Sequence, residues 1–212
     1  KEYRRQRQMC IRDRLDAVTV KATAEGGTSA ERLPPVYAGG QVAKGARLGM
    51  LGNVSVMDAP FSVTSYTTEV IQNQQAATVG DVLKNDASVR TQTSDGHNAE
   101  NFTIRGFSVN SSELAFNGLY GLLPGARVST DMIERVEVFR GPSALLSGIA
   151  PSGAVGGVIN LVPKRAGDEP LTRLTASYSS KSQFGLAADV GRRFGEENRL
   201  GIRFNGSYSN GK

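Results

Sequence analysis

The sequence predicts an α+β fold, in which a small mixed sheet with short helices is followed by antiparallel strands. Two observations predict it. Residues 132–164 present a strand, a turn, a short helix, a glycine-rich loop and a second strand, in that order. From residue 171 onward, apolar and polar residues alternate in three runs, which is typical of strands that bury one face. Together they indicate a compact mixed domain followed by a separate set of strands.

The elements before residue 132 are short. Residues 59–64 are typical of an extended segment, and Thr78 with Asp81 forms a capping box that predicts a helix over 79–85. Residues 89–91 and 102–107 are rich in β-forming side chains and are predicted to be strands, separated by the polar loop 92–101. Glycine, rather than a large apolar mass, sets the shape of this domain.

The segment 132–164 carries the most information. Residues 136–139 alternate as a strand does, and Arg140-Gly141-Pro142 ends that strand. Pro142 suits a first helical position, so a helical turn is expected over 142–146. Small residues dominate 148–157 and allow close backbone approach, and the apolar run 158–162 predicts the second strand.

The three alternating runs after residue 171 have the length that a tilted strand needs to cross a bilayer. Their apolar residues are Leu174, Ala176 and Tyr178, then Phe184, Leu186, Ala188 and Val190, then Leu200, Ile202 and Phe204. Residues 195–198 are predicted to form the turn between the second and third runs. A meander in a soluble β-protein would show the same alternation.

The chain resembles a known family, the TonB-dependent outer-membrane receptors, and in particular the siderophore receptors among them. The resemblance rests on Ile104-Arg105-Gly106-Phe107, Asn117-Gly118, Ile133-Glu134-Arg135-Val136-Glu137-Val138, Arg140-Gly141-Pro142 and Gly156-Gly157-Val158-Ile159-Asn160, in this order. It implies a globular plug inside a barrel of about 22 strands. The three terminal runs would then be the first strands of an outer-membrane β-barrel that is truncated at residue 212.

The resemblance divides the chain into four parts. Residues 1–14 resemble the translation of a sequencing adapter and are expected to be non-native, 15–51 hold a TonB box and a flexible linker, 52–168 form the plug, and 169–212 supply about three barrel strands. The TonB box is assigned to Asp16, Ala17, Val18, Thr19 and Val20, a β-prone segment that a TonB-type energy-coupling protein would bind by strand addition. A plain edge strand would look the same.

Charge gives no support for a nucleic-acid partner. The net charge is +5, but residues 1–14 hold six of the 25 basic and two of the 20 acidic residues, so the rest is nearly neutral. Cys10, the only cysteine, lies in that same segment. The chain has no run of eighteen apolar residues and no export signal, so a transmembrane helix is not expected and the start is expected to be missing or processed.

The resemblance also implies where a ligand binds. Plug loops that point outward would contact it, which selects Arg105 and Phe107 and the loop residues Tyr120, Gly121, Leu122 and Leu123. A guanidinium suits an anionic ferric chelate. Alternatively, Tyr120 and Leu122 pack against barrel loops.

The charged residues within 132–140 have two expected roles. In the family, charges at the positions of Glu134 and Arg140 face the inner barrel wall and hold plug to barrel, with partner carboxylates beyond residue 212. For Arg135 and Glu137, ion pairs within the plug are expected, because charges are rarely buried unless they are paired.

No catalytic or metal site is expected. His97 is the sole histidine and stands beside Asp95 in a polar loop, whereas a metal site or catalytic triad needs several convergent groups. The glycines of 148–157 lack the spacing of a dinucleotide-binding or phosphate-binding loop. No cofactor is expected other than the transported ligand.

The sequence therefore predicts an outer-membrane transport receptor of a Gram-negative bacterium, with its N-terminus in the periplasm. Its partners would be a ferric siderophore, a TonB-type coupling protein and outer-membrane lipid, with no nucleic acid. Alternatives are a TonB-dependent receptor for cobalamin, a sugar or another metal chelate, and a non-transporting β-rich surface protein.

Overall fold

The structure is a computed structural model that describes residues 33–47, 49, 52–153, 155–179 and 182–210. The predicted TonB box at 16–20 and the segment 1–14 lie outside the described residues. The strands are β1 (Gly45–Arg47), β2 (Asn53–Ser55), β3 (Ser62–Thr67), β4 (Val89–Thr91), β5 (Phe102–Ile104), β6 (Phe107–Val109), β7 (Ala115–Phe116), β8 (Ile133–Arg140), β9 (Gly157–Pro163), β10 (Leu171–Ser179), β11 (Gln183–Phe194) and β12 (Leu200–Asn210). The α-helices are α1 (Thr68–Asn73), α2 (Val79–Leu83) and α3 (Ala144–Ser147).

A four-stranded mixed sheet lies at the centre of the α+β region, with strand order β3-β8-β9-β7. Strands β7 and β9 are parallel and the other neighbours are antiparallel. Because side chains alternate along each strand, the sheet has two different faces. One face places Val136, Val138 and Leu161 in the main hydrophobic core with α1, α2 and the β4-β5-β6 sheet. The other face is covered by the β1-β2 hairpin through Ala46 and Val54.

Helix α2 begins as predicted and ends earlier. Thr78 Oγ1 accepts the amide of Asp81 at 3.4 Å, and the Asp81 carboxylate accepts the amide of Thr78 at 3.1 Å, which completes the capping box. The helix stops at Leu83 rather than residue 85. Asn85 Nδ2 donates to the carbonyl of Val82 at 2.8 Å, so a side chain takes the place of a further helical amide.

The single strand predicted over 102–107 is wrong. Strands β5 and β6 form an antiparallel hairpin, and the two residues between them, Arg105 and Gly106, have φ angles of 50° and 92°. Positive φ at both central residues is the two-residue hairpin turn that matches the twist of the flanking strands. Arg105 therefore stands exposed at a hairpin tip instead of in the middle of a strand.

Other boundaries shift by a few residues. Strand β3 starts at Ser62, three residues after the predicted extended segment begins, and continues to Thr67. Helix α3 spans Ala144–Ser147, with Ser143 as its N-cap, so Pro142 precedes the helix. The predicted strands 89–91, 136–139 and 158–162 are confirmed as β4 and as parts of β8 and β9.

Strands β10, β11 and β12 form an antiparallel sheet whose polar face points toward the α+β region. Asp189 accepts both Nε and Nη2 of Arg203 at 2.7 Å and is 3.2 Å from Lys164 Nζ. Ser207 Oγ donates to Asp131 Oδ2 at 2.6 Å. The apolar face is open, and Leu174 and Tyr178 are 71% and 75% exposed. A soluble meander has the opposite arrangement, with its apolar face on the core.

None of the α-helices in the described residues is long and apolar enough to span a membrane.

Candidate functional site

Three loops meet at the end of the central sheet where β8 stops and β9 starts. Gly156 lies under the β5-β6 hairpin, because a Cβ placed there would be 2.6 Å from the Cβ of Phe107 and 2.7 Å from the carbonyl of Ile104. On the other side, a Cβ on Gly148 would be 3.7 Å from the ring of Tyr120. We call these loops, at 105–107, 118–124 and around Gly148 and Gly156, the loop cluster.

The loop cluster exposes apolar side chains. Phe107, Leu119 and Leu122 are between 53% and 60% exposed. Ile149 and Val155 of the glycine-rich loop are 78% and 59% exposed, and neither is among the predicted ligand-binding residues. The sequence marks them, because they are the large apolar residues in a stretch otherwise made of small ones. Convergent exposed apolar groups at loop tips are typical of a binding surface.

The predicted ligand-binding residues separate into two groups. Arg105, Phe107, Gly121 and Leu122 are exposed. Tyr120 packs against the cluster of Ala46, Val63, Ala115, Phe139 and Val158, and burial raises its pKa. Leu123 is half-buried against the main core. Tyr120 and Leu123 therefore fix the loop from below, while the other four residues face outward.

A buried acid anchors the loop cluster from inside. Glu113 is 2% exposed, and its carboxylate accepts the amides of Asn110 at 2.7 Å and Ser152 at 3.1 Å. The second of these bonds holds the glycine-rich loop against the 3₁₀ turn Ser111–Glu113. Backbone amides thus satisfy a carboxylate that would otherwise be costly to bury.

Arg140 has a carboxylate partner inside the α+β region, and its expected contact with the wall formed by the following strands stays a prediction. It forms an ion pair with Asp86, whose side chain is 2% exposed. Arg140 also donates to Ser88 Oγ at 2.6 Å and to Ser62 Oγ at 3.1 Å. The β8 strand end brings these groups together because it lies next to β3 and faces the turn after α2.

Glu134 is half-buried on β8, and its charge interacts with Arg203 of β12. That places it on the side of the α+β region that faces the β10-β11-β12 sheet. Its contact with the wall formed by the following strands stays a prediction.

The ion pairs predicted for Arg135 and Glu137 are wrong. Among the described residues, neither has an oppositely charged atom within ion-pair distance. Arg135 Nη2 donates to the carbonyl of Pro34 at 2.7 Å, and Glu137 accepts from the amide of Arg47 at 3.1 Å and from Asn160 Nδ2 at 2.8 Å. The strand spaces Arg135 and Glu137 roughly 7 Å apart, and each finds a closer neutral partner.

Glu137 is fully buried, and burial raises its pKa from 4.5 to about 7. The hydrogen bonds from Asn160 and Arg47 act in the opposite direction but do not outweigh the loss of solvent.

The stability of the fold is expected to fall with rising pH because of Glu137. An acid with a raised folded-state pKa contributes fully below its unfolded pKa, and this contribution is lost between about pH 4.5 and about pH 7. The loss is about 3 kcal/mol, and Glu137→Gln should remove it. Urea unfolding at a series of pH values measures the effect, with the exposed Glu169→Gln as the control. Equal pH slopes in wild type and Glu137→Gln would contradict the assignment.

No group of three or more histidine, cysteine, aspartate or glutamate residues in the described ranges is arranged to hold a metal ion. His97 lies in an exposed loop, where its Nδ1 is 3.1 Å from the backbone of Ala99. Arg127 fixes that loop by donating to the carbonyls of His97 and Ser94 at 2.8 and 3.0 Å. The loop around His97 is therefore a hydrogen-bonded turn.

Comparison with known proteins places this arrangement in a family. Residues 55–158 match the TonB-dependent Receptor Plug Domain. The chain is 48% identical over 202 residues to the ferrichrome receptor FcuA of Yersinia enterocolitica, covering 93% of this chain and 26% of that protein. It is 31% identical over 155 residues to a hemin receptor of the same organism, covering 64% of this chain and 21% of that protein.

The crystal structure of BauA, the ferric preacinetobactin receptor from Acinetobacter baumannii, superposes with a TM-score of 0.80 at 46% identity. The match covers 84% of this chain and 27% of BauA, so the chain spans about a quarter of the length of these relatives. The mixed sheet and the first antiparallel strands of such receptors are thus both present. The chain belongs to the TonB-dependent receptor family, and residues 55–158 are its plug domain.

Proposed function

We propose that the protein is an outer-membrane receptor that binds a ferric siderophore at the loop cluster and imports it with energy transmitted by a TonB-type protein. The observation that carries this proposal is the 48% identity to a ferrichrome receptor across 93% of the chain, which includes the loop cluster. The similarity to the receptor for ferric preacinetobactin, at 46% identity, supports the same class of ligand. The protein acts in transport rather than in catalysis.

The loop cluster suits a metal chelate chemically. Arg105 supplies an exposed guanidinium that can pair with an anionic complex, and Phe107 and Leu122 supply exposed apolar surface for the organic shell of the chelate. Gly121 lets the loop tip approach the ligand closely, since it adopts a φ of 75° and carries no side chain. Tyr120 and Leu123 position these groups from beneath.

The β10-β11-β12 sheet supports a membrane location. Its apolar face is exposed, while its polar face carries Asp189, Arg203 and Ser207 against the plug side. Lipid acyl chains are the medium that such an outward apolar face fits. The protein would then lie in the outer membrane of a Gram-negative bacterium, with Asp16 to Val20 reaching the periplasmic coupling protein.

Equilibrium binding to the detergent-solubilised receptor tests the ligand class. Ferrichrome and ferric preacinetobactin are titrated separately. Leu122→Asp is expected to lower the affinity for the bound chelate at least about tenfold, because it places a charge on an apolar contact. Met57→Asp is the matched control, since Met57 is 86% exposed in a turn outside the loop cluster. Equal affinities of wild type and Leu122→Asp would contradict a site at the loop cluster.

A second candidate ligand is haem, because a hemin receptor is 31% identical to this chain. Haemin is therefore included in the same titration. Tight binding of haemin with no binding of either ferric siderophore would replace the proposed ligand class.

A further inference from the structure

We infer that Glu137 is a positioning residue that couples the N-terminal strand β1 to the base of the ligand-facing loop 118–124, through a closed circuit of hydrogen bonds with Arg47, Asn160, Asn117 and Gly118. That a bound chelate acts through this coupling rests on the proposed function. The circuit itself is a property of the fold.

The circuit begins in a polar row beneath the β1-β2 hairpin. Ser65, Glu137 and Asn160 pair directly across β3, β8 and β9, so they lie side by side on the same face of the central sheet. Each is no more than 1% exposed. The neighbouring row of the same face is apolar and consists of Val63, Phe139 and Val158. Glu137 and Asn160 obtain their hydrogen bonds from each other and from the segments that cover the row, whereas the hydroxyl of Ser65 has no partner.

Strand β1 supplies the first of these bonds. The amide of Arg47 donates to Glu137 Oε1 at 3.1 Å. The residues just before β1 are tied to the same sheet, because the amide of Ala43 donates to the carbonyl of Ser65 at 2.9 Å and the amide of Thr67 donates to the carbonyl of Gln41 at 3.0 Å. Arg47 of β1 therefore contacts Glu137 directly, and residues 41–43, which precede β1, lie along the edge of β3.

The ligand-facing loop supplies the other side of the circuit. Asn160 Nδ2 donates to Glu137 Oε2 at 2.8 Å, and Asn160 Oδ1 accepts the amide of Gly118 at 2.8 Å. Asn117 and Gly118 form a tight turn with φ angles of 53° and 85°, after which the chain runs through Leu119 and Tyr120 to the loop tip. A shift of the tip is thus transmitted to the turn that Asn160 holds.

Arg47 closes the circuit. Its Nη1 donates to Asn117 Oδ1 at 2.9 Å, so the same residue contacts Glu137 through its amide and the loop base through its side chain. Because the carboxyl group of Glu137 is fully buried, the loss of either partner leaves a buried polar atom without a hydrogen bond. Movement of the turn and release of β1 therefore favour one another, which is the definition of a coupling between two sites.

Backbone hydrogen exchange of the detergent-solubilised receptor, without ligand, tests the coupling. Asn160→Ala removes the bond to Gly118 and does not touch Arg47. We expect exchange to accelerate at least about tenfold both over 118–123 and over 41–47, because Glu137 loses one of its two donors. Val162→Ala is the control, since Val162 is a buried residue of the same strand and the same face with no place in the circuit. Acceleration confined to 118–123 would overturn the coupling.

A second variant tests the circuit independently if Asn160→Ala fails to fold. Arg47→Ala keeps the backbone amide that binds Glu137 but removes the guanidinium that binds Asn117, at a half-buried position. It should accelerate exchange over 118–123, and unchanged exchange there would also count against the circuit.

Ligand addition separates the coupling from the proposed function. Ferrichrome bound to the wild type should accelerate exchange over 41–47, and this response should be lost in Asn160→Ala. If ferrichrome changes nothing while both variants behave as expected, the coupling stands and the proposed ligand is wrong.

Discussion

Replacing Val18 with proline is expected to abolish energy-dependent uptake while leaving ligand binding intact. Strand addition depends on backbone hydrogen bonds from the bound segment, and proline removes one amide donor and fixes φ. Val18 is the middle residue of the predicted TonB box at 16–20, which lies outside the described residues. The loop cluster lies within residues 105–156, far from this segment in the sequence, and should not change.

The measurement compares two quantities in the same cells. Binding of radioactive ferric siderophore to de-energised cells reports the receptor at the surface, and accumulation after energy is restored reports transport. Ser29→Pro, in the linker that follows the box, is the control and should transport normally, because a linker needs no backbone pairing. Normal accumulation by Val18→Pro would show that residues 16–20 are not the coupling segment.

Replacing Arg140 with methionine is expected to destabilise the plug by about 3–5 kcal/mol. The change leaves the carboxylate of Asp86 buried without its ion-pair partner, although the amide and hydroxyl of Ser88 still donate to it at 2.9 and 2.6 Å. Combining Arg140→Met with Asp86→Leu should restore most of the lost free energy of unfolding, because neither charge of the pair then remains buried. The free energy of unfolding in urea measures both effects.

The chain offers a matched control for this ion pair. Lys84 and Asp81 also form a salt bridge, but their side chains are 61% and 33% exposed. Lys84→Met should change the free energy of unfolding by no more than about 1 kcal/mol, because solvent screens an exposed pair. Similar losses for Lys84→Met and Arg140→Met would show that burial does not set the strength of the Arg140 pair.

Local patterns predicted the strands well. Side chains alternate between the two faces of a strand, so a strand with one apolar face shows alternating polarity in the sequence. The runs 174–178, 184–190 and 200–204 show this alternation, and each is part of a strand in the structure. The capping box of Thr78 and Asp81 was also visible, because it involves residues three apart. These features depend on near neighbours in the sequence.

Local patterns do not predict contacts between distant residues or turns with an unusual sequence. Asp86 is 54 residues from Arg140, and no local pattern distinguishes it from the other acids. The tip of the β5-β6 hairpin has arginine before glycine, where asparagine or aspartate is the familiar signal, so the local sequence predicts one strand over 102–107.

We propose that this protein transports a ferric siderophore with energy from a TonB-type partner. The most direct measurement is accumulation of radioactive iron, supplied as ferrichrome, by cells in which this protein is the sole outer-membrane iron receptor, with and without the coupling protein. We expect accumulation only when the coupling protein is present, and surface binding in both cases. Accumulation that persists without the coupling protein, or cells that bind no ferrichrome, would contradict it.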